Sequence, residues 1–335
     1  MENITIHELI QQLRASELVR EKRIDENISS FNFSRNAFFK KEWNDMSIRA
    51  RGLFVDTKAE RIKARSYDKF FHINERPETD LLFIEKAWLY PIDVYIKENG
   101  YLGICSWNDD GTLFCASKST TEGYFASNFE KLLTESLGDN YSMFWQYLHD
   151  EDLSAIFEVI DPDNDPHIIE YDCPKVILLD LVYNSMFNDG LYYDFTNKVY
   201  EVLTMDSVCF NLPCKKRVTQ IWNAAELHNF YNKAINMEQY DNKYIEGFVF
   251  EDLNGQKVKL KTDYYNYWKT MRAMIPYISQ GKVPPQLNKI DRVRHPETND
   301  IVKYMNHMLP IYYEINNEYM DIITFRQAWL EHIGG

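Results

Sequence analysis

The stretch that decides the fold is Ile92-Asp93-Val94-Tyr95-Ile96-Lys97-Glu98-Asn99-Gly100-Tyr101-Leu102-Gly103-Ile104-Cys105-Ser106-Trp107. Ile92, Val94 and Ile96 recur at every second position, the period of a strand with one buried face. Glu98-Asn99-Gly100 interrupts the run with turn-forming residues. Tyr101 to Trp107 is a second run, Asn108-Asp109-Asp110-Gly111 a second turn, and Thr112 to Ala116 a third run. Three short runs with tight breaks predict an antiparallel meander, and they set Lys97 at a strand end beside a glycine turn.

Working outward, Phe157 to Ile160 and Ile168 to Tyr171 flank a Pro-Asp-Asn-rich turn and predict another hairpin. Gly247 to Phe250 and Val258 to Leu260 flank Asn254-Gly255 and predict a third. Residues 5–25 carry Ile6, Leu9, Ile10, Leu13 and Leu18 at helical spacing. Helical patterning also fits 124–137, 142–149, 217–237 and much of 264–335. Locally paired strands with helices between them predict an α+β fold and not a doubly wound sheet. Strand patterning stops near residue 262, which suggests domains at 1–262 and 263–335, the second helical.

The 335 residues are 45% hydrophobic and 26% charged, enough apolar material for a packed core. Five cysteines (105, 115, 173, 209 and 214) include no C-x-x-C pair, which argues for reduced thiols and against a zinc site or disulfide frame. Met1-Glu2-Asn3-Ile4 lacks a basic-then-apolar leader and no apolar run spans a bilayer, so a cytoplasmic protein with no membrane partner is expected. The formal charge of −14 by itself opposes nucleic-acid binding. The charge is uneven, however. Lys259 to Arg294 holds eight basic residues against Asp263 and Asp291, and Arg35 to Arg65 holds nine against four acidic. An acidic protein with local basic surface is one account, and ordinary surface fluctuation is the other.

The chemistry begins at Lys97. A lysine becomes a nucleophile when burial or nearby cations lower its pKa. Lys259 and Lys261 alternate in one strand, so both share a face and can supply that positive field or meet a triphosphate. By itself Lys97-Glu98-Asn99-Gly100 is also what a surface hairpin shows. Glu158 and Glu246 are carboxylates in or beside apolar strands. An unpaired buried carboxylate costs several kcal/mol, so each would have a partner or else face solvent. Eight histidines show no H-x-x-x-H pair, leaving a zinc hydrolase without support. Tyr264, Tyr265, Tyr267 and Trp268, with Lys269 and Arg272, either bind RNA by stacking and phosphate contact or pack as a helix face.

In chain order these elements resemble those of the covalent nucleotidyltransferases, and more narrowly of the T-even phage (T4-type) RNA ligase 1 family, across most of residues 28–272. Ala50-Arg51-Gly52-Leu53-Phe54, Lys69-Phe70-Phe71 with Asn74-Glu75, Lys97-Glu98-Asn99-Gly100, Ser117-Lys118-Ser119, Phe157-Glu158-Val159-Ile160, Glu246-Gly247-Phe248-Val249 and Val258-Lys259-Leu260-Lys261 resemble its successive motifs. The resemblance implies a nucleotidyltransferase (ATP-grasp-like ligase) domain of antiparallel sheets with flanking helices, followed by a small helical region. It implies an ATP-dependent RNA ligase, using ATP with Mg2+ (Mn2+ as an alternative), that seals 5′-phosphate and 3′-hydroxyl ends through lysyl-AMP and adenylylated RNA. Lys97 would be the nucleophile, and Lys259, Lys261 and Glu246 would share the catalysis. Phe31, Arg51, Lys69, Asn99, Gly100, Lys118, Glu158, Glu246, Lys259 and Lys261 would contact the nucleotide, Glu158 through the ribose. The metal ligands stay unassigned. The chain departs from the family where Asn99 replaces an aspartate and Phe31 a tyrosine. A monomer acting on single-stranded RNA ends, such as a broken tRNA anticodon loop, is the expected setting. A DNA ligase, a capping-type guanylyltransferase and a non-catalytic RNA-binding relative are the alternatives.

Overall fold

The chain passes from one β-sheet to another at Glu98–Gly100. The structure, a computed structural model, describes residues 4–185, 210 and 212–334; Cys209 lies outside the described residues. Strand Ile92–Lys97 does not pair with Tyr101–Trp107, so the expected three-strand meander is a correction. Alternation of apolar residues marks a strand but does not name its partner. Ile92–Lys97 lies in a five-stranded sheet in the order Arg217–Ile221, Ile92–Lys97, Gly247–Glu251, Lys257–Lys261, Phe71–His72. All its pairings are antiparallel except the last, which is parallel. Tyr101–Trp107 belongs to a four-stranded antiparallel sheet, between Leu113–Ser117 and Leu153–Ile160, with Lys175–Tyr183 beyond. Gly100 permits the crossing, because a Cβ there would lie 2.1 Å from the Val159 carbonyl oxygen.

A third sheet holds Val19–Arg23, Ile28–Phe33, Leu53–Asp56 and Arg61–Arg65 in antiparallel order. Its Phe54 and Ala64 pack on Leu102, Ile104, Phe114 and Ile156 of the four-stranded sheet. The helix expected over 5–25 is confined to Ile6–Ala15, where Thr5 and Glu8 form a capping box and Leu9, Ile10 and Leu13 are buried. The rest of that span is strand Val19–Arg23, whose edge pairing outweighs the helical spacing. Likewise 217–237 divides into strand Arg217–Ile221 and helix Ala224–Ala234, started by the Asn223 cap. The partner of Leu153–Ile160 is Lys175–Tyr183, so Ile168–Tyr171 is loop and not the return strand of a hairpin. The hairpin Gly247–Glu251 and Lys257–Lys261 has the expected form.

Helices Asp263–Ser279, Thr298–Asn316 and Ile322–Gly334 follow the last strand. Tyr265, Tyr267 and Trp268 are buried in their core with Met271, Met305 and Phe325, so that aromatic run is a packing face. Ile168 and Ile169 of the loop join the same core and tie these helices to the sheets. The whole is an α+β fold of antiparallel sheets flanked by helices, with a helical C-terminal region. No described helix is long and apolar enough to cross a membrane.

Candidate active site

Strand register gathers the charged residues. Gly247 stands opposite Lys97 on one side and Lys261 on the other. Directly paired residues project to the same face, so the two lysines flank a position that has no side chain. A Cβ on Gly247 would sit 2.0 Å from the Leu260 carbonyl oxygen, which only glycine avoids. The carboxylate of the preceding residue, Glu246, enters this gap. Its Oε1 lies 3.0 Å from Lys97 Nζ and 2.8 Å from Lys261 Nζ. Two positions along, Lys259 shares the face, and its Nζ donates to the Phe70 carbonyl at 3.1 Å. The opposite face carries Ile92, Val94, Ile96, Phe248, Phe250 and Val258 into the core. Its apolar packing anchors the charged face.

Asn99 is the fourth member of this group. Its Nδ2 donates to Glu246 Oε2 at 2.8 Å, and its Oδ1 accepts the N–H groups of Ile168 and Ile169, each at 3.2 Å. The Asn99 N–H donates to the Tyr171 hydroxyl at 2.8 Å, which in turn donates to Glu98 at 2.9 Å. Glu158 reaches in from the four-stranded sheet and accepts the Gly100 N–H at 2.7 Å. Arg51 bonds Ser66 at 2.8 Å and lies 5.0 Å from the Tyr67 ring centre.

The electrostatics follow from this crowding. Burial alone would push the Lys97 ammonium toward neutrality, but Glu246 and Glu158 outweigh it and hold the group charged, above the ordinary lysine range. The expectation of an amine neutralised by surrounding cations therefore needs correction: Glu246 and Glu158 favour the charged form of Lys97. Burial opposes the Glu246 charge, yet Lys97 and Lys261 pull its carboxyl below the usual range. Lys261 is lowered to about 8, by desolvation first and then by Lys97 against the pull of Glu246. Lys259 falls well below its ordinary value through desolvation and the cations Lys69, Lys97, Lys261 and Arg51. Lys69 and Lys118 shift the same way, through desolvation and then neighbouring cations that include Arg51. Cations forced together with lowered pKa values form a site short of negative charge, as a polyphosphate site is.

A cleft opens between the two sheets beside Lys97, lined by Tyr67, Phe70, Tyr95, Glu158, Leu179 and Val249 among others. An adjoining cavity of 490 Å³ shares Tyr67, Phe70 and Lys257 with it and is also lined by Lys69. The structure thus brings together Lys97, Lys259, Lys261, Glu246, Glu158, Arg51, Lys69, Asn99 and Gly100, with Lys118 joined to them through Arg51 and Lys69. Phe31 is not among them. It is wholly buried with Leu9, Ile10, Leu13 and Leu53, because its strand lies inside the third sheet, and this corrects its assignment to the nucleotide site. Asn99 is turned to Glu246 and the loop. Tyr67 and Tyr171 were missed from sequence, where nothing separated them from the other 21 tyrosines. Among the described residues no three His, Cys, Asp or Glu side chains gather as metal ligands.

The fold is shared with two solved ligase structures. An archaeal ATP-dependent RNA ligase shares it with a TM-score of 0.52, at 14% identity, over 83% of this chain and 69% of that one. A protein of Aquifex aeolicus assigned to the ATP-dependent DNA ligases shares it at 0.51, with 15% identity, over 92% and 72%. At these identities the likeness is one of fold. The chain belongs to the T4-type RNA ligase family, whose model, described as RNA ligase, matches residues 49–265. It is 25% identical to the tRNA ligase of Candida albicans, over 96% of this chain and 44% of the relative. It is 26% identical to tRNA ligase 1 of Schizosaccharomyces pombe, over 70% and 32%. The chain thus spans less than half the length of these two curated relatives.

Proposed function

We propose that this protein is an ATP-dependent RNA ligase that carries AMP on Lys97, within an adenylyltransferase domain of residues 1–262 and ahead of a helical domain of residues 263–335. The observation that carries it is the shared carboxylate: Lys97 and Lys261 meet one oxygen of Glu246 beside a field of cations. Lys97 Nζ attacks the α-phosphorus of ATP, the bond to pyrophosphate breaks, and a phosphoramidate forms. The proton leaving Lys97 has its nearest acceptor in Glu246 Oε1, 3.0 Å away, with Lys261 beyond it, lowered to about 8 and so partly neutral near that pH. Lys259, Lys69 and Arg51 face the phosphates and stabilise charge as pyrophosphate departs. Magnesium enters as part of the substrate, on the triphosphate, and neutralises phosphate charge; Mn2+ would serve likewise. Glu246 is occupied by lysines and Asn99, so it serves to organise those groups.

In the second step an oxygen of the RNA 5′-phosphate attacks the lysyl-AMP phosphorus, the P–N bond breaks, and Lys97 recovers a proton. In the third, the RNA 3′-hydroxyl attacks the activated 5′-phosphate and AMP leaves. Glu158 lines the cleft beside Lys97 and would hold the ribose. The test is incubation with ATP, Mg2+ and a 5′-phosphorylated single-stranded RNA. Circles and adenylylated RNA are expected. Labelling by GTP in place of ATP, sealing of DNA only, or no adduct at all would each replace this reading with one of its alternatives.

A further inference from the structure

We propose that Phe38 and Phe39, with Phe33 and Trp43, form a stacking platform for the unpaired bases of a single-stranded RNA end, leading into the lysine site. This rests on the function proposed above and names where that substrate lies. Helix Arg35–Lys40 follows strand Ile28–Phe33 and presents Phe38 and Phe39 to solvent, 55% and 77% exposed. Two adjacent phenyl rings in water have no folding purpose, and Phe33, Phe38, Phe39 and Trp43 belong to none of the described core clusters. They are ordered against each other, and among the described residues Trp43 alone of the four also meets the buried Phe71 ring edge-on, at 5.4 Å. Phe33 and Phe38 lie near-parallel at 17° with centres 6.5 Å apart, and Phe33 meets Trp43 edge-on at 5.1 Å.

Charge decides the occupant. Lys118 Nζ lies 4.0 Å from the centre of the Phe33 ring, and Lys69 Nζ lies 4.6 Å from that of Trp43. Lys69 acts directly on Lys259, and Lys118 neighbours Lys69 and Arg51 of the same cation field. The aromatic row is therefore continuous with the proposed phosphate site. Arg35, Lys40 and Lys41 are exposed along the same helix and its end, and make no ion pair among the described residues. Glu42 and Asp45 are the acids nearby in sequence, against the three cations, and Glu75, which shares a pocket with Lys41 and Trp43, is engaged by the His72 N–H at 2.9 Å. Exposed rings interleaved with unpaired cations suit a polyanion whose bases have free faces. A duplex, with its bases stacked on one another, would not match.

The test compares the wild type with a Phe38→Ala/Phe39→Ala variant. Binding is read by fluorescence anisotropy of a 5′-phosphorylated, 3′-labelled single-stranded RNA without ATP, and self-labelling by ATP is read separately. Expected are RNA binding weakened about tenfold or more, unchanged ATP labelling that also reports an intact fold, restoration by Phe38→Trp/Phe39→Trp, and no difference on a blunt RNA duplex. RNA binding equal to the wild type overturns the platform. So does equal binding accompanied by a change in sedimentation, which would make the face a contact between copies of the chain. Failure of the wild type to label with ATP sinks the lysyl-AMP reading alone, since the anisotropy needs no nucleotide.

Discussion

Asn99 is bonded to Glu246 at 2.8 Å, and so links the carboxylate that grips the proposed nucleophile to the loop at Ile168 and Ile169. The amide suits this place because it donates to a carboxylate with one end and accepts two N–H groups with the other. An aspartate could accept from the loop but would set a second negative charge against Glu246.

Asn99→Asp is therefore expected to destabilise the protein by about 2 kcal/mol at pH 7. Like charges raise one carboxyl of the pair above its unfolded value. The loss is then largest at high pH and recovers as pH falls through that raised value, where the shared proton restores a hydrogen bond. Thermal melts at pH 7 and pH 5 check this; a variant more destabilised at pH 5, relative to wild type, contradicts it.

Removing the carboxylate should cost more than removing either lysine. Glu246→Ala leaves Lys97 and Lys261 side by side in a buried setting with their common partner gone. The expected loss is about 3–5 kcal/mol, read by urea denaturation, along with loss of ATP labelling. Lys97→Ala keeps the Glu246 contacts to Lys261 and Asn99 and should remain much closer to wild type in stability.

Nucleotide binding should take up protons. Lys261 sits at about 8 and is therefore partly neutral at pH 8, and burial with neighbouring cations pushes Lys259 in the same direction. A triphosphate favours their charged forms and raises both values. Calorimetry with a non-transferable ATP analogue, in two buffers of different ionisation enthalpy, should show net proton uptake at pH 8 and less at pH 6. Proton release would contradict the placement of the triphosphate on these lysines.

The C-terminal helices should support the site from a distance. Arg326, buried in helix Ile322–Gly334, donates to the Ile168 carbonyl at 2.9 Å, bonds Glu170, and lies 5.4 Å from the Trp268 ring centre. Arg326→Ala is expected to cost about 2–4 kcal/mol and to speed hydrogen exchange at the Ile168 and Ile169 amides that hold Asn99. Protection unchanged at those amides would separate the helices from the site.

Lys259 and Lys261 were legible as a pair because strand alternation assigns a face, and Lys97 and Glu246 because a lysine beside a glycine turn and a carboxylate beside an apolar strand stand in the order of the family's motifs. The crossing at Gly100 was not legible, since a turn signal does not say whether the next strand returns to the same sheet. Phe31 misled because a motif position was taken for a side-chain direction, whereas its strand is interior to its sheet. Tyr171 and Arg326 act through contacts some 70 to 160 residues apart in the chain, which no local pattern encodes.

The most direct measurement is covalent labelling by ATP carrying a radioactive α-phosphate, for the wild type and Lys97→Ala side by side. A labelled wild type whose adduct maps to Lys97, an unlabelled variant, and retained sealing of preadenylylated RNA by that variant are expected. A variant that still acquires the label would show that the nucleophile is another residue.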